Sequence, residues 1–135
     1  MRPETLLDFM GVAEHLKCNM RHSRMTDHRR ESVAEHTYRL CVFAWLVKEE
    51  FPDCDMDKVM KMCLFHDLGE ALTGDIPAFV KTDDDRKTEG DALTLLTAML
   101  PGKERQELDE LFGELEREET MEAKIVHALD KMETL

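Results

Sequence analysis

His66 and Asp67 stand side by side at the end of an apolar run, in the stretch CLFHDLGEALTGDIPAF at residues 63–79, and Glu70 and Asp75 follow within it. Neighbouring residues on a helix point about 100° apart. His66 and Asp67 therefore cannot both take the solvated face while Leu64, Phe65 and Leu68 fill a core. Burying a carboxylate costs several kcal/mol, of order 3–5 when left unpaired, unless positive charge compensates it. A divalent metal is one such compensation, because imidazole nitrogen and carboxylate oxygen both ligate first-row divalent ions.

A metal needs more than two ligands. His36 falls on the apolar stripe of another segment, and Asp130 lies inside the final apolar run, ALDKMETL. Together they form an H…HD…D set drawn from separate helices. Four ligands of this kind leave coordination positions open for water and substrate, unlike a closed thiolate site. Each residue alone has a plainer explanation. A lone imidazole on an apolar face is ordinarily a hydrogen-bonded core residue, an isolated HD pair is a weak signal, and Asp130 beside Lys131 reads as a surface pair. The conjunction favours metal.

A second signal is basic. Arg21, His22, Arg24, His28, Arg29 and Arg30 crowd into residues 21–30 of a chain whose formal net charge is -12. Arginine forks match phosphate oxygens. A solvated charge run explains such a loop equally well, and its position just before His36 brings in anion binding as the other reading.

The elements that must hold these residues read as helical nearly throughout. Leu6, Met10, Ala13, Leu16 and Met20 recur at helical spacing. A polar loop is expected over residues 21–31. Ser32 and Glu35 then form an S-x-x-E capping box that opens a second helix with Val33, His36, Leu40, Phe43 or Ala44, and Val47 on its stripe. A third helix starts at Asp55 or Asp57, carries Val59, Met62, Cys63 and His66, and ends at Gly74, with Pro77 preventing resumption. Residues 81–88, KTDDDRKT, read as a charged linker. The fourth helix carries Leu93, Leu96 and Leu100 and stops at Pro101-Gly102. The fifth carries Leu108, Leu111, Phe112 and Leu115. The sixth opens near Thr120 and runs through Ile125, Leu129 and Met132. With no β-alternation of useful length, the expectation is an all-α class, a compact bundle of about six helices in one domain over residues 1–135.

Composition supports this. The chain has 135 residues, 42% hydrophobic and 36% charged, which suits one globular domain with a real core. The acidic balance argues against general nucleic-acid or anionic-membrane binding. The longest apolar run, LCVFAWLV at residues 40–47, is too short to span a bilayer, and the N-terminus has no signal-peptide core. Cys18, Cys41, Cys54 and Cys63 form no C-x-x-C pair, so free thiols in a reducing compartment are expected. The expected location is cytoplasmic.

RRESVAEHTYRL, FHDLGEALTGDIPAF and KIVHALDKMETL together resemble the HD-domain metal-dependent phosphohydrolases, in the branch that includes the 5′-deoxynucleotidases. The resemblance implies the HD-domain fold and one divalent metal ion, Mn, Co, Fe or Zn, on His36, His66, Asp67 and Asp130. It implies catalytic and substrate roles for Glu70 and Asp75, with phosphate bound by Arg21. A tryptophan that follows this arginine in a characterised relative is replaced here by His22, which becomes a substrate-side candidate. Relatives continue past the fourth ligand, so C-terminal helices present in them are expected to be absent from this chain. A nucleotide as small-molecule substrate and a homodimer are also implied. The activity expected is hydrolysis of (deoxy)nucleoside 5′-monophosphates. The alternatives are an HD hydrolase of another phosphorylated nucleotide, a triphosphate or alarmone, and a non-catalytic metal-containing nucleotide-binding protein.

Overall fold

The computed structural model describes residues 1–74 and 81–134. In chain order the elements are α1 (Pro3–Ala13), the short α2 (His15–Cys18), β1 (Met20–Arg24), β2 (Arg30–Ser32), α3 (Val33–Val47), a 3-10 turn (Lys48–Glu50), α4 (Met56–Phe65), the short α5 (Glu70–Thr73), α6 (Asp83–Ala98), α7 (Gly102–Arg117) and α8 (Met121–Glu133). Six of these helices reach ten residues or more, which is the all-α bundle the periodicity predicts.

The centre is a triangle of α3, α4 and α8, each packed on the other two, with α7 against α4 and α6 against α5 and α7. Leu40 and Ala44 of α3, Val59, Met62 and Cys63 of α4, and Ile125, Val126 and Leu129 of α8 meet there, joined by Leu96 of α6 and by Leu108, Leu111 and Leu115 of α7. The expected capping box forms, and the last helix opens on a capping Thr120. Ser32 Oγ accepts from Glu35 N at 3.1 Å while Glu35 Oε1 accepts from Ser32 N at 2.8 Å, and Thr120 Oγ1 accepts from Ala123 N at 3.2 Å. Gly74 closes α5 with φ 75°, a left-handed conformation that suits glycine.

Four expectations give way. The first stripe does not make one helix through Met20: α1 ends at Ala13, and Leu6 and Met10 are exposed. The chain becomes extended at Asn19, whose carbonyl accepts from Val33 N at 2.9 Å and whose Nδ2 donates to the Glu70 carbonyl at 2.6 Å. These tertiary bonds outweigh local helix preference. Second, the expected polar loop is an antiparallel hairpin with Met20 opposite Ser32 and Arg24 opposite Arg30. Its turn is held by Asp27 Oδ1, which accepts from Arg29 N at 3.0 Å, and by a left-handed His28 at φ 66°. The inward face of β1 is polar, so no apolar alternation marked it.

Third, the supposed linker opens α6. Thr82 and Asp85 form a reciprocal capping box, and Asp83, Asp84 and Asp85 occupy the first turn, where the helix dipole favours anions. Fourth, α4 ends at Phe65, not at Gly74. Residues 66–72 turn more tightly, with Leu68 N→Phe65 O, Glu70 N→Asp67 O, Ala71 N→Leu68 O and Leu72 N→Gly69 O bonds of 3.0–3.1 Å. At Gly69 a Cβ would lie 3.1 Å from Leu93 Cδ2, so glycine is what allows α6 this close. Leu64, expected in the core, is 52% exposed. On α8 the expected Met132 is exposed, and Glu133 is buried in its stead.

All four cysteines are free, and burial pushes the Cys63 thiol up to about 12. Among the described residues no helix is long and apolar enough to cross a membrane.

Candidate metal centre

The capping box at Ser32 sets the phase of α3, and the stripe Val33, His36, Leu40 follows at helical spacing, so His36 faces α8 with no solvent exposure. His66 is the C-terminal cap of α4. Its Nδ1 donates to the Cys63 carbonyl at 2.8 Å, which leaves Nε2 facing the centre. Asp67 comes next, on the first of the tight turns. Asp130 arrives from α8, whose own core face is Val126 and Leu129.

The four predicted residues converge. One ligating atom from each of His36, His66, Asp67 and Asp130 lies within 4.8 Å of all the others. His36 Nε2 and His66 Nε2 lie 2.7 and 3.2 Å from Asp130 Oδ1, and 3.8 and 3.0 Å from Asp67 Oδ2. The imidazole centroids are 5.6 Å apart.

Two features fit this set to a divalent ion. Asp67 Oδ2 is buried and accepts no aligned hydrogen bond, although His66 Nε2 is only 3.0 Å away. The contact is close but not aligned as a hydrogen bond, so the oxygen keeps a lone pair for a cation. The donors, two nitrogens and two carboxylate oxygens, are those preferred by first-row divalent metals.

The titration behaviour has the same cause. Burial alone would discharge both imidazoles. For His66 the Asp67 charge and Asp130 outweigh burial and hold it well above the ordinary imidazole value, and for His36 the hydrogen bonds to Asp130 and Glu133 raise it. Burial works against Asp67 and Asp130 too, yet His66 and His36 draw both below the usual carboxylate range. The two carboxylates thus favour positive charge between them, whether it is carried by the imidazoles or by a bound cation.

Arg21 is brought to the edge of this cluster. β1 turns its side chain inward, where Nη1 lies 3.8 Å from Asp67 Oδ2 and Nε 3.0 Å from Glu31 Oε1. His22, the next residue, is exposed on the opposite face of the strand and is not among the described residues that converge. Glu70 is half-buried at the start of α5. In the tight turn residues three apart nearly eclipse, so Glu70 shares a side with Asp67, where an uninterrupted α-helix would have aligned it with His66. Asp75 lies outside the described residues. The other basic residues of the hairpin are engaged elsewhere: Arg29 grips the Glu35 carboxylate at 2.7 and 3.1 Å, and Arg24 donates to the His28 carbonyl at 2.9 Å.

Two buried carboxylates escaped the sequence reading, Glu31 and Glu133, which flank the other nitrogen of His36. Glu133 lies three residues after Asp130 and therefore on the same side of α8. A D-x-x-E spacing in the last helix was the signal available for it.

A family model described as HD domain matches residues 13–135. The chain belongs to the HD domain family. This HD domain is similar to the 5′-deoxynucleotidase of Homo sapiens, at 36% identity over 109 residues, 79% of this chain and 52% of the relative. It is also similar to the 5′-deoxynucleotidase of Xenopus laevis, at 33% identity over 98% of this chain and 67% of the relative. Among solved structures, one described as a predicted metal-dependent phosphohydrolase from Magnetospirillum magnetotacticum MS-1 superposes with a TM-score of 0.88 at 30% identity, covering 98% of this chain and 68% of that one. The chain spans about half the length of the human relative it matches.

Proposed function

We propose that this HD domain is a metal-dependent phosphomonoesterase that hydrolyses nucleoside 5′-monophosphates, deoxyribonucleotides foremost, to nucleoside and phosphate. The observation that carries the reading is the meeting of two imidazoles and two carboxylates within 4.8 Å, with the guanidinium of Arg21 at their edge. The similarity to 5′-deoxynucleotidases supports the substrate class.

In this reading His36, His66, Asp67 and Asp130 hold one divalent ion, Mn, Co, Fe or Zn. When bound, the ion supplies Lewis acidity toward a phosphate oxygen and lowers the pKa of water. Arg21, fixed from behind by Glu31, presents its remaining N–H groups to the non-reacting phosphate oxygens. Glu70 takes a proton from the attacking water as that water's oxygen bonds to phosphorus and the phosphorus–O5′ bond breaks, and it returns this proton to O5′ of the leaving nucleoside. Asp75 accepts a hydrogen bond from the sugar 3′-hydroxyl; His22, on the outward face of β1, has no part in this arrangement. The working unit is a homodimer acting on a small nucleotide, with no nucleic-acid or membrane partner, in the cytoplasm.

The test is phosphate release from a panel of ribo- and deoxyribonucleoside mono- and triphosphates and an alarmone, each with Mn²⁺, Co²⁺, Fe²⁺ or Zn²⁺. Turnover of monophosphates alone is the expected result. Turnover confined to triphosphates or the alarmone would move the activity to another HD hydrolase class, and no turnover with any metal would leave a binding protein.

A further inference from the structure

Both ring nitrogens of His36 meet carboxylates of α8. Nε2 lies 2.7 Å from Asp130 Oδ1, and Nδ1 lies 2.6 Å from Glu133 Oε2. Asp130 belongs to the candidate metal set. Glu133 is not one of those four but groups with Glu31 around the other nitrogen of His36: it lies on the far side of the ring, its side chain is 1% exposed, and no step proposed above uses it. The Arg39 Nη1 lies 3.5 Å from Glu133 Oε1, on a side chain that is 72% exposed. Oε1 itself is buried and accepts no aligned hydrogen bond. The fold thus holds a buried carboxyl group against the back of one imidazole, and burying such a polar group is costly unless its hydrogen bond is used.

We infer that Glu133 is a positioning residue for the metal centre: its Oε2 accepts the His36 Nδ1–H and so fixes the ring with the Nε2 lone pair turned toward Asp67, His66 and Asp130. This rests on the metal-centre reading. A neutral imidazole has two tautomers and two ring orientations, and the hydrogen bond at one nitrogen decides which is populated at the other. A carboxylate acceptor also raises the ring's donor strength. Glu31 cannot substitute, because its Oε1 is 4.0 Å from Nδ1, beyond hydrogen-bond range, and is taken up by Arg21 at 3.0 Å. Glu133 and Asp130 sit three residues apart on α8, so one helix sets the ring from both sides.

The experiment titrates Mn²⁺ alone into chelator-stripped wild type, Glu133→Gln, Glu133→Ala and His66→Ala by calorimetry. Loss of a partner behind a metal-ligating histidine typically costs about 10–100-fold in metal affinity. Glu133→Gln, whose amide oxygen can still accept the Nδ1–H, should sit near the lower end, and Glu133→Ala near the upper, both at unchanged stoichiometry. A pair that merely ties α3 to α8 would lower the melting temperature of the stripped protein and leave the Mn²⁺ Kd alone. That result, with a saturable wild-type site lost in His66→Ala, overturns this inference and spares the metal centre. No saturable wild-type site, or His66→Ala titrating like wild type, overturns the centre and this inference with it. Should Glu133→Ala fail to fold, Glu133→Gln with the wild-type Kd overturns the inference. So does the ring ¹⁵N spectrum of Zn²⁺-loaded wild type, if His36 is metal-bound through Nδ1.

Discussion

The acidic residues around His66 differ in placement because the backbone turns sharply between them. Asp67 offers a buried oxygen with no aligned hydrogen bond, whereas Glu70, one tight turn on, shares its side without belonging to the converging set. Asp67→Ala should therefore lose metal and activity together. Glu70→Ala should keep its metal and lose kcat by about 10²–10⁴-fold, the usual worth of general acid–base catalysis. Measuring kcat beside elemental metal content checks both, and a Glu70→Ala protein that sheds its metal would make Glu70 a ligand. Arg21→Ala removes a charge-assisted contact worth roughly 1.5–3 kcal/mol, or about ten- to a hundredfold in kcat/KM, with metal content unchanged. An unaltered kcat/KM would reduce Arg21 to a structural partner of Glu31. The four metal-type residues were legible because each stands where an apolar side chain was due. Glu31 and Glu133 were not, because a carboxylate in an acidic chain reads as surface until its burial is seen.

The capping box at the head of α3 fixes the phase on which His36 depends. Ser32→Ala should cost about 0.5–2 kcal/mol of unfolding free energy, read by denaturant titration. Glu35 gives the same element a pH signature. The Arg29 hydrogen bond, followed by those of Ser32, draws its carboxyl down from 4.5 to about 2. A depressed folded pKa means stability that is present above the unfolded value and is lost as pH falls through the folded one. The melting-temperature gap between wild type and Glu35→Gln should therefore be full above about pH 5 and close toward pH 2. Because this carboxylate is largely solvated, the gap should also shrink with salt. A gap constant across that range would show that the carboxylate charge is idle. Elements were readable where local chemistry decided them, as at Ser32 and Thr120. They were misread where distant bonds decided them, as at Asn19, or where one charge run served two meanings, as at Asp83–Asp85 (linker or helix start).

At the scale of the molecule, the candidate ligands come from three places that the core must hold together: α3, the end of α4 and its following turn, and α8. An ion bound there ties the triangle. Binding to the folded state alone stabilises by about 2.7 kcal/mol at a hundredfold excess over Kd. Chelation should lower the melting temperature by several degrees and Mn²⁺ should restore it, whereas His66→Ala should melt identically with and without metal. A wild-type melting temperature indifferent to chelator and Mn²⁺ would detach the site from the bundle's stability. The bundle itself was legible from periodicity, since Leu40, Met62, Leu96, Leu111 and Leu129 fall where helical stripes put them. How its faces pair was not, because periodicity gives each helix an inside without naming the neighbour.

Cys63 sits at the middle of that triangle, and its carbonyl is the acceptor that orients His66. Buried, with its thiol pushed up to about 12, it carries almost no thiolate at neutral pH. Peroxide and alkylating reagents act on thiolates. This thiol is thus chemically silent while the bundle is closed, and oxidative damage at this position has to wait for α4 to open.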